Sequence, residues 1–160
     1  MNQIQNMTLD SYLNNISKLY QLVDEWLKEK SFIYEEQDIE ICEEASGKYS
    51  VRKLIIRNDK NVQIAEIRPI AAWVIGGDGR LDIIGKFDKQ ILLYINKERA
   101  TVKSSVTDST GNISDKVYPL YKGIDKDDWY WIKDMHIGRA YALDKELFFD
   151  LLTEVSDYDS

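Results

Sequence analysis

The stretch from Ile64 to Ile95, IAEIRPIAAWVIGGDGRLDIIGKFDKQILLYI, constrains the fold of this chain more than any other. Apolar runs of strand length are separated by the glycine-rich turn at 76–79 and by Lys86-Phe87-Asp88-Lys89-Gln90. Short turns between strand-length runs build antiparallel sheet. A three-residue loop at Gly77-Asp78-Gly79 sets Ile75 opposite Leu81 and Trp73 opposite Ile83, and places Asp82 beside Val74 on the other face. Pro69 cannot donate to a ladder, so a bulge, a bend or an edge is expected near Arg68-Pro69. Ile91 to Ile95 is apolar on both faces and reads as a central strand covered on each side.

Upstream, Tyr49–Arg57 is a second strand followed by the turn Asn58-Asp59-Lys60-Asn61. A loop of Asn58 to Lys60 pairs Ile56 with Val62, Leu54 with Ile64 and Arg52 with Glu66. Ile39 and Ile41 alternate with Glu40 and Cys42 in a shorter strand. Downstream come a weaker strand over 101–106, the polar loop TDSTGNISD, a strand broken by Pro119, and the aromatic strand Trp129-Tyr130-Trp131-Ile132.

A helix stands at each end. Over 8–29, Leu9, Leu13, Ile16, Tyr20, Val23 and Leu27 form one stripe, with Thr8 as N-cap and Met7 and Tyr12 as a staple. Over 143–155, Asp144 is the N-cap, Leu143 and Phe148 the staple, and Leu147, Phe148, Leu151, Leu152 and Val155 the stripe. The expected fold is a single α+β domain over 1–160, with 1–7 and 156–160 frayed. A meandering antiparallel sheet of about six to eight strands carries an N-terminal and a C-terminal amphipathic helix.

Charge and composition narrow the function classes. Twenty-one basic residues are scattered among 28 acidic ones, for a net charge of −7. Binding to phosphate backbones needs clustered Lys and Arg, so a nucleic-acid partner is not expected. No apolar run reaches the roughly 18–20 residues of a membrane span. One cysteine, Cys42, allows no internal disulfide, and the N-terminus carries no secretion signal pattern, so the cytoplasm is expected. The sequence carries no signal for oligomeric state.

Motifs for chemistry are sparse. The Gly76–Gly79 turn is neither GxGxxG nor a Walker loop, and it joins two strands instead of opening a helix. One Cys and one His cannot make a structural zinc site, and Trp129 spoils any EF-hand register of Asp125, Asp127 and Asp128. No cofactor or metal is expected. A Cys42–His136 dyad would need the two to meet in space. An enzyme would be built on Glu66, Asp82 and His136, with Arg68 and Lys86 nearby for a metal-dependent nuclease or hydrolase arrangement.

The favoured expectation is a non-catalytic binding protein that recognises a basic protein partner, as a small immunity or antitoxin protein would. Its surface would combine the carboxylates Glu35, Glu36, Asp38, Glu40, Glu43 and Glu44, the loop Asp125, Asp127 and Asp128, and the aromatics Trp129 and Tyr130, with Tyr118 and Tyr121 adding to the patch. The further alternative is a small-molecule sensor with a pocket between the N-terminal helix and the sheet.

Overall fold

The computed structural model describes residues 3–98, 101–134 and 138–156; the side chains of 3–7, 101–104 and 115–119 lie outside that description. Helix α1 (Gln3–Glu29) leads into strands β1 (Ile33–Glu43), β2 (Gly47–Arg57), β3 (Gln63–Ala71), β4 (Arg80–Gly85) and β5 (Lys89–Ile95). A separate hairpin of β6 (Thr101–Thr107) and β7 (Ile113–Pro119) follows. The chain then returns through β8 (Asp128–Asp134) and β9 (Arg139–Ala142) to helix α2 (Lys145–Val155). The main sheet has seven strands in the order β1-β2-β3-β4-β5-β8-β9, every pair antiparallel. This is the expected α+β meander.

Both helices pack on one face. Their apolar stripes and the inward residues of β2 to β5 and β8 form one buried cluster containing Tyr12, Ile16, Val23, Leu54, Ile67, Ile83, Leu92, Phe148 and Leu152. Trp26 of α1 meets Phe148 of α2 with ring centroids 5.5 Å apart, so the last turns of α1 reach the first turns of α2. Leu27, Leu54, Ile67, Leu92 and Phe148 are sealed from water. Burial of each such side chain contributes roughly 1.5–3 kcal/mol, which is why the stripe decides the packing. Asp144 caps α2, its carboxylate accepting from the Leu147 N–H at 2.8 Å.

The opposite face is covered only in part. Leu93, Ile95, Tyr130 and Ile132 make a second cluster with Tyr121, and Val74, Leu120 and Ile124 pack against it. β5 thus buries Leu92 on one face and Leu93 on the other, as a central strand must. Across β2, β3 and β4 the same face carries Lys53, Glu66, Arg68, Arg80 and Asp82.

Three local expectations are corrected. Helix α1 already runs from Gln3, so Thr8 is an interior residue and not its N-cap. At the β2–β3 turn, Asn58 Oδ1 accepts from the N–H groups of Lys60 and Val62, and Asn61 takes φ +63. That side-chain turn consumes the loop up to Val62 and shifts the ladder between Ile56 and Arg57. Leu54 therefore faces Ile67, and Ile55 faces Glu66. The ion partner of Glu66 is Lys53 at 3.0 Å, while Arg52 turns to β1.

At the β3–β4 turn the strand ends at Ala71, and Ala65 to Pro69 pair with Gly85 to Leu81. Trp73 and Ile75 do not join the ladder; Ile75 is 91% exposed. The cause is competition for backbone groups. The Glu43 carboxylate accepts from the N–H groups of Ala72 and Trp73 at 2.9 and 3.1 Å. On the return, Asp78 N–H donates to Tyr94 O, and Tyr94 N–H donates to Gly79 O. The ends of the loop are held by β1 and β5, and the tight turn closes instead between Val74 and Gly77, an isolated antiparallel bridge outside the β3–β4 ladder. The expected irregularity at the proline is present as a register shift between Pro69 and Ala71.

Candidate functional site

The acidic run of β1 lies on a sheet edge, where its side chains meet the bases of β2. Glu35 pairs with Arg57 at 2.8 Å, Glu36 and Asp38 share Arg52 at 2.9 and 3.3 Å, and Glu40 approaches Lys48 at 3.6 Å. Such exposed pairs stabilise by only 0–1 kcal/mol or so each. Their effect on the surface is larger, because the ladder neutralises much of the charge the sequence concentrates there. Glu43 is occupied by the Ala72 and Trp73 amides and by the Tyr49 hydroxyl.

The aromatic part of the expected surface is core. Trp129 is 3% exposed and Tyr130 is sealed. They point to opposite faces of β8, as alternation requires, and each face is covered. Trp129 donates from Nε1 to Asn15 O of α1 at 3.2 Å. The Tyr130 hydroxyl sits in the 125–126 turn, receiving both backbone N–H groups and lying 3.0 Å from Asp125 Oδ1. Tyr121 is buried too, and Tyr118 lies among the side chains outside the description. Asp127 accepts from Lys97 N–H at 2.8 Å and Asn96 Nδ2 at 3.2 Å. Asp128 accepts from Trp129 N–H, with Lys126 at 3.4 Å. The acidic loop is thus a fastening between β5 and β8.

Glu66 and Asp82 share the partly open face on neighbouring strands, yet each is held by its own cation. Asp82, only 2% exposed, takes the Arg80 guanidinium in a two-pronged contact at 2.8 and 3.0 Å. That geometry explains a carboxylate in the sheet centre: a buried charge persists when it is paired and hydrogen-bonded. Glu66 is bound by Lys53, with Arg68 at 4.0 Å. His136 lies outside the described residues. Among the described residues no three Cys, Asp or Glu side chains gather as a metal-binding group.

A groove between α1 and the β1–β2 ribbon is the feature that remains. Tyr49 and Val51 face the core, and so do Leu54 and Ile56, so the inward phase of β2 changes between Val51 and Leu54. The groove opens opposite that step. Its volume is about 430 Å³, and it is lined by Leu13, Ile16, Tyr20, Asp24, Tyr34 and Arg52, among others. The Tyr20 hydroxyl donates to Arg52 O at 2.7 Å and fixes the ring as a wall. Burial pushes the Tyr20 hydroxyl pKa well above its ordinary value, with the Glu36 charge adding to the effect.

On the helix side, Asp24 gives Oδ2 to Lys28 at 3.0 Å. Its Oδ1 is buried with no hydrogen-bond partner of its own among the described residues. The neighbouring Tyr34 hydroxyl first, then Lys28, hold this carboxyl below its ordinary pKa, so it is charged at neutral pH. Tyr34 is pushed the other way by the same carboxylate. Sequence reading placed a pocket between helix and sheet but did not name these side chains. The stripe spacing of α1 marks Leu13, Ile16 and Tyr20 as inward, and Asp24 follows Tyr20 at the i+4 position that sets it beside the stripe.

No family model, no curated protein and no solved structure matches this chain.

Proposed function

We propose that this protein is a non-catalytic binding protein whose ligand lies in the groove between α1 and the β1–β2 ribbon. The observation that carries this is the groove itself: about 430 Å³, with apolar walls from Leu13, Ile16 and Val51 and polar groups at Asp24, Tyr34, Glu36 and Arg52. Binding sites of this kind are concave, of roughly 300–1,000 Å³, with a few placed polar groups on an apolar wall. The carboxylates an enzyme would have used support the same reading, since Glu66 and Asp82 are engaged by Lys53 and Arg80.

A basic protein is the partner class that fits the charge of −7 and the free edge of β1. The cytoplasm is the compartment we assign, on the single exposed Cys42. Among the described residues no helix is long and apolar enough to cross a membrane.

The test is a fragment screen on the isotopically labelled full chain by amide chemical-shift mapping. Hits should shift residues of α1 and β1–β2 together. Ser17→Trp, which fills the groove from an exposed rim position, should abolish those shifts. Hits that map only to other surfaces would overturn the groove as the site.

A further inference from the structure

The groove has a polarity as well as a volume. Its charged lining is two carboxylates, Asp24 and Glu36, and one guanidinium, Arg52. Arg52 is already held by Glu36 and Asp38, whereas the cation beside Asp24 is Lys28, an exposed side chain of its own helix. Asp24 comes from α1 and Tyr34 from β1, with the Tyr34 hydroxyl beside the Asp24 carboxyl. Leu13, Ile16 and Val51 supply an apolar wall, and Tyr20 and Tyr34 supply aromatic rings.

We propose that this groove takes a lysine or arginine side chain of a partner protein, with its cationic head on Asp24 and its aliphatic stem along Leu13, Ile16 and Val51. The assignment rests on the groove being the binding site and adds the chemical class of its occupant. A carboxylate held by a neutral phenol and one exposed lysine gains a stronger, charge-assisted hydrogen bond from an incoming cation. Lys and Arg bury their stems on apolar surface while the head seeks a charge. Aromatic faces favour a cation over an anion or a neutral group. A protein source is preferred over a free amine because the groove is bordered by β1, an 11-residue strand at the edge of the sheet, the position at which an extended partner chain adds.

The experiment titrates the labelled full chain with N-acetyl-arginine amide and N-acetyl-lysine amide. N-acetyl-norleucine amide, N-acetyl-glutamate amide and putrescine serve as comparisons. The expected result is saturable shifts at Ser17, Tyr20, Gln21, Asp24 and Tyr34 with the two basic amides, at least fivefold weaker with norleucine amide and none with glutamate amide. Asp24→Asn should weaken the basic amides at least fivefold. Lys28→Ala breaks the same i,i+4 pair but frees the second Asp24 oxygen, so it should keep or tighten binding; a merely structural role would make the two variants behave alike.

Equal binding of norleucine amide at the groove residues would overturn the cationic class and leave the groove as a site. Tighter binding of putrescine than of either basic amide would overturn the protein side chain as occupant. Shifts confined to other surfaces would overturn the groove reading and this one with it.

Discussion

The Tyr12 hydroxyl donates to the carbonyl of Arg80 at 2.7 Å and ties the middle of α1 to the start of β4. The ring lies where a side chain at position 79 would stand. A Cβ on Gly79 would come 2.2 Å from Tyr12 Cδ1, and Gly79 holds φ +142, which L-residues rarely adopt. Gly79→Ala is therefore expected to destabilise by about 1–3 kcal/mol through overpacking and backbone strain. Tyr12→Phe, which keeps the ring and drops the hydroxyl, should cost about 1 kcal/mol. Urea denaturation of both variants measures this, and a Gly79→Ala protein as stable as the parent would refute the contact.

The same strand carries the buried carboxylate. Asp82→Ala strands the Arg80 guanidinium, which is 28% exposed and can reach water in part. The expected loss is about 2–3 kcal/mol, below the roughly 3–5 kcal/mol of a fully enclosed pair. Denaturant midpoints of Asp82→Ala and Asp38→Ala give the comparison. The Asp38 side chain is 79% exposed, so its removal should cost under about 1 kcal/mol.

Charge reversal along β1 separates folding from binding. Asp38→Lys and Glu40→Lys alter exposed partners of Arg52 and Lys48, so thermal unfolding should move little, each by no more than about 1 kcal/mol. Co-precipitation with a basic partner should fall. Variants that keep every partner at full strength would show that the β1 ladder serves the sheet alone.

Alkaline pH should unfold the protein through its buried phenols. Burial raises Tyr12 and Tyr20 far above the ordinary phenol value, and burial followed by the Glu43 hydrogen bond raises Tyr49. A phenol whose folded pKa is raised favours the folded state while it stays protonated. That stability is fully present below the unfolded pKa of about 10 and is lost progressively as pH rises above it. Tyrosinate absorbance should rise in two stages, exposed phenols first and the buried ones together with loss of the helical circular dichroism signal. A single stage with structure retained would contradict the buried hydroxyls.

Much of the fold is legible in the residue pattern, because periodicity reports which face of an element is buried. The stripe of α1, the Asp144 cap, the two-sided run Ile91–Ile95 and the alternation of Trp129 and Tyr130 are all set by local spacing and all recur in the structure. The turn registers are not legible in the same way. Glu43 is 29 positions from Ala72, and no local rule ties its carboxylate to those amides. Asn58 is local, but its side chain competes with the ladder for the same N–H groups, and the outcome depends on how the loop closes.

The acidic run of β1 shows the same division. Its alternation marks a strand bearing carboxylates, and the sheet order puts that strand at the edge. Only the pairing of β1 with β2 decides that Arg57, Arg52 and Lys48 stand across from them and quench the charge. By itself, the sequence determined the two helices, the antiparallel class and the strands other than β9, since each follows from backbone geometry and burial within a few residues. The tertiary structure alone decided which charged groups were spent. Asp82, Glu66 and Glu43 found partners across strands and turns, Trp129 and Tyr130 went into the core, and Asp24 was left with an exposed lysine and the Tyr34 hydroxyl beside a groove. An ionised side chain is available to a ligand only when the fold has placed no stronger partner within reach, and that is a property of distances the linear chain does not carry.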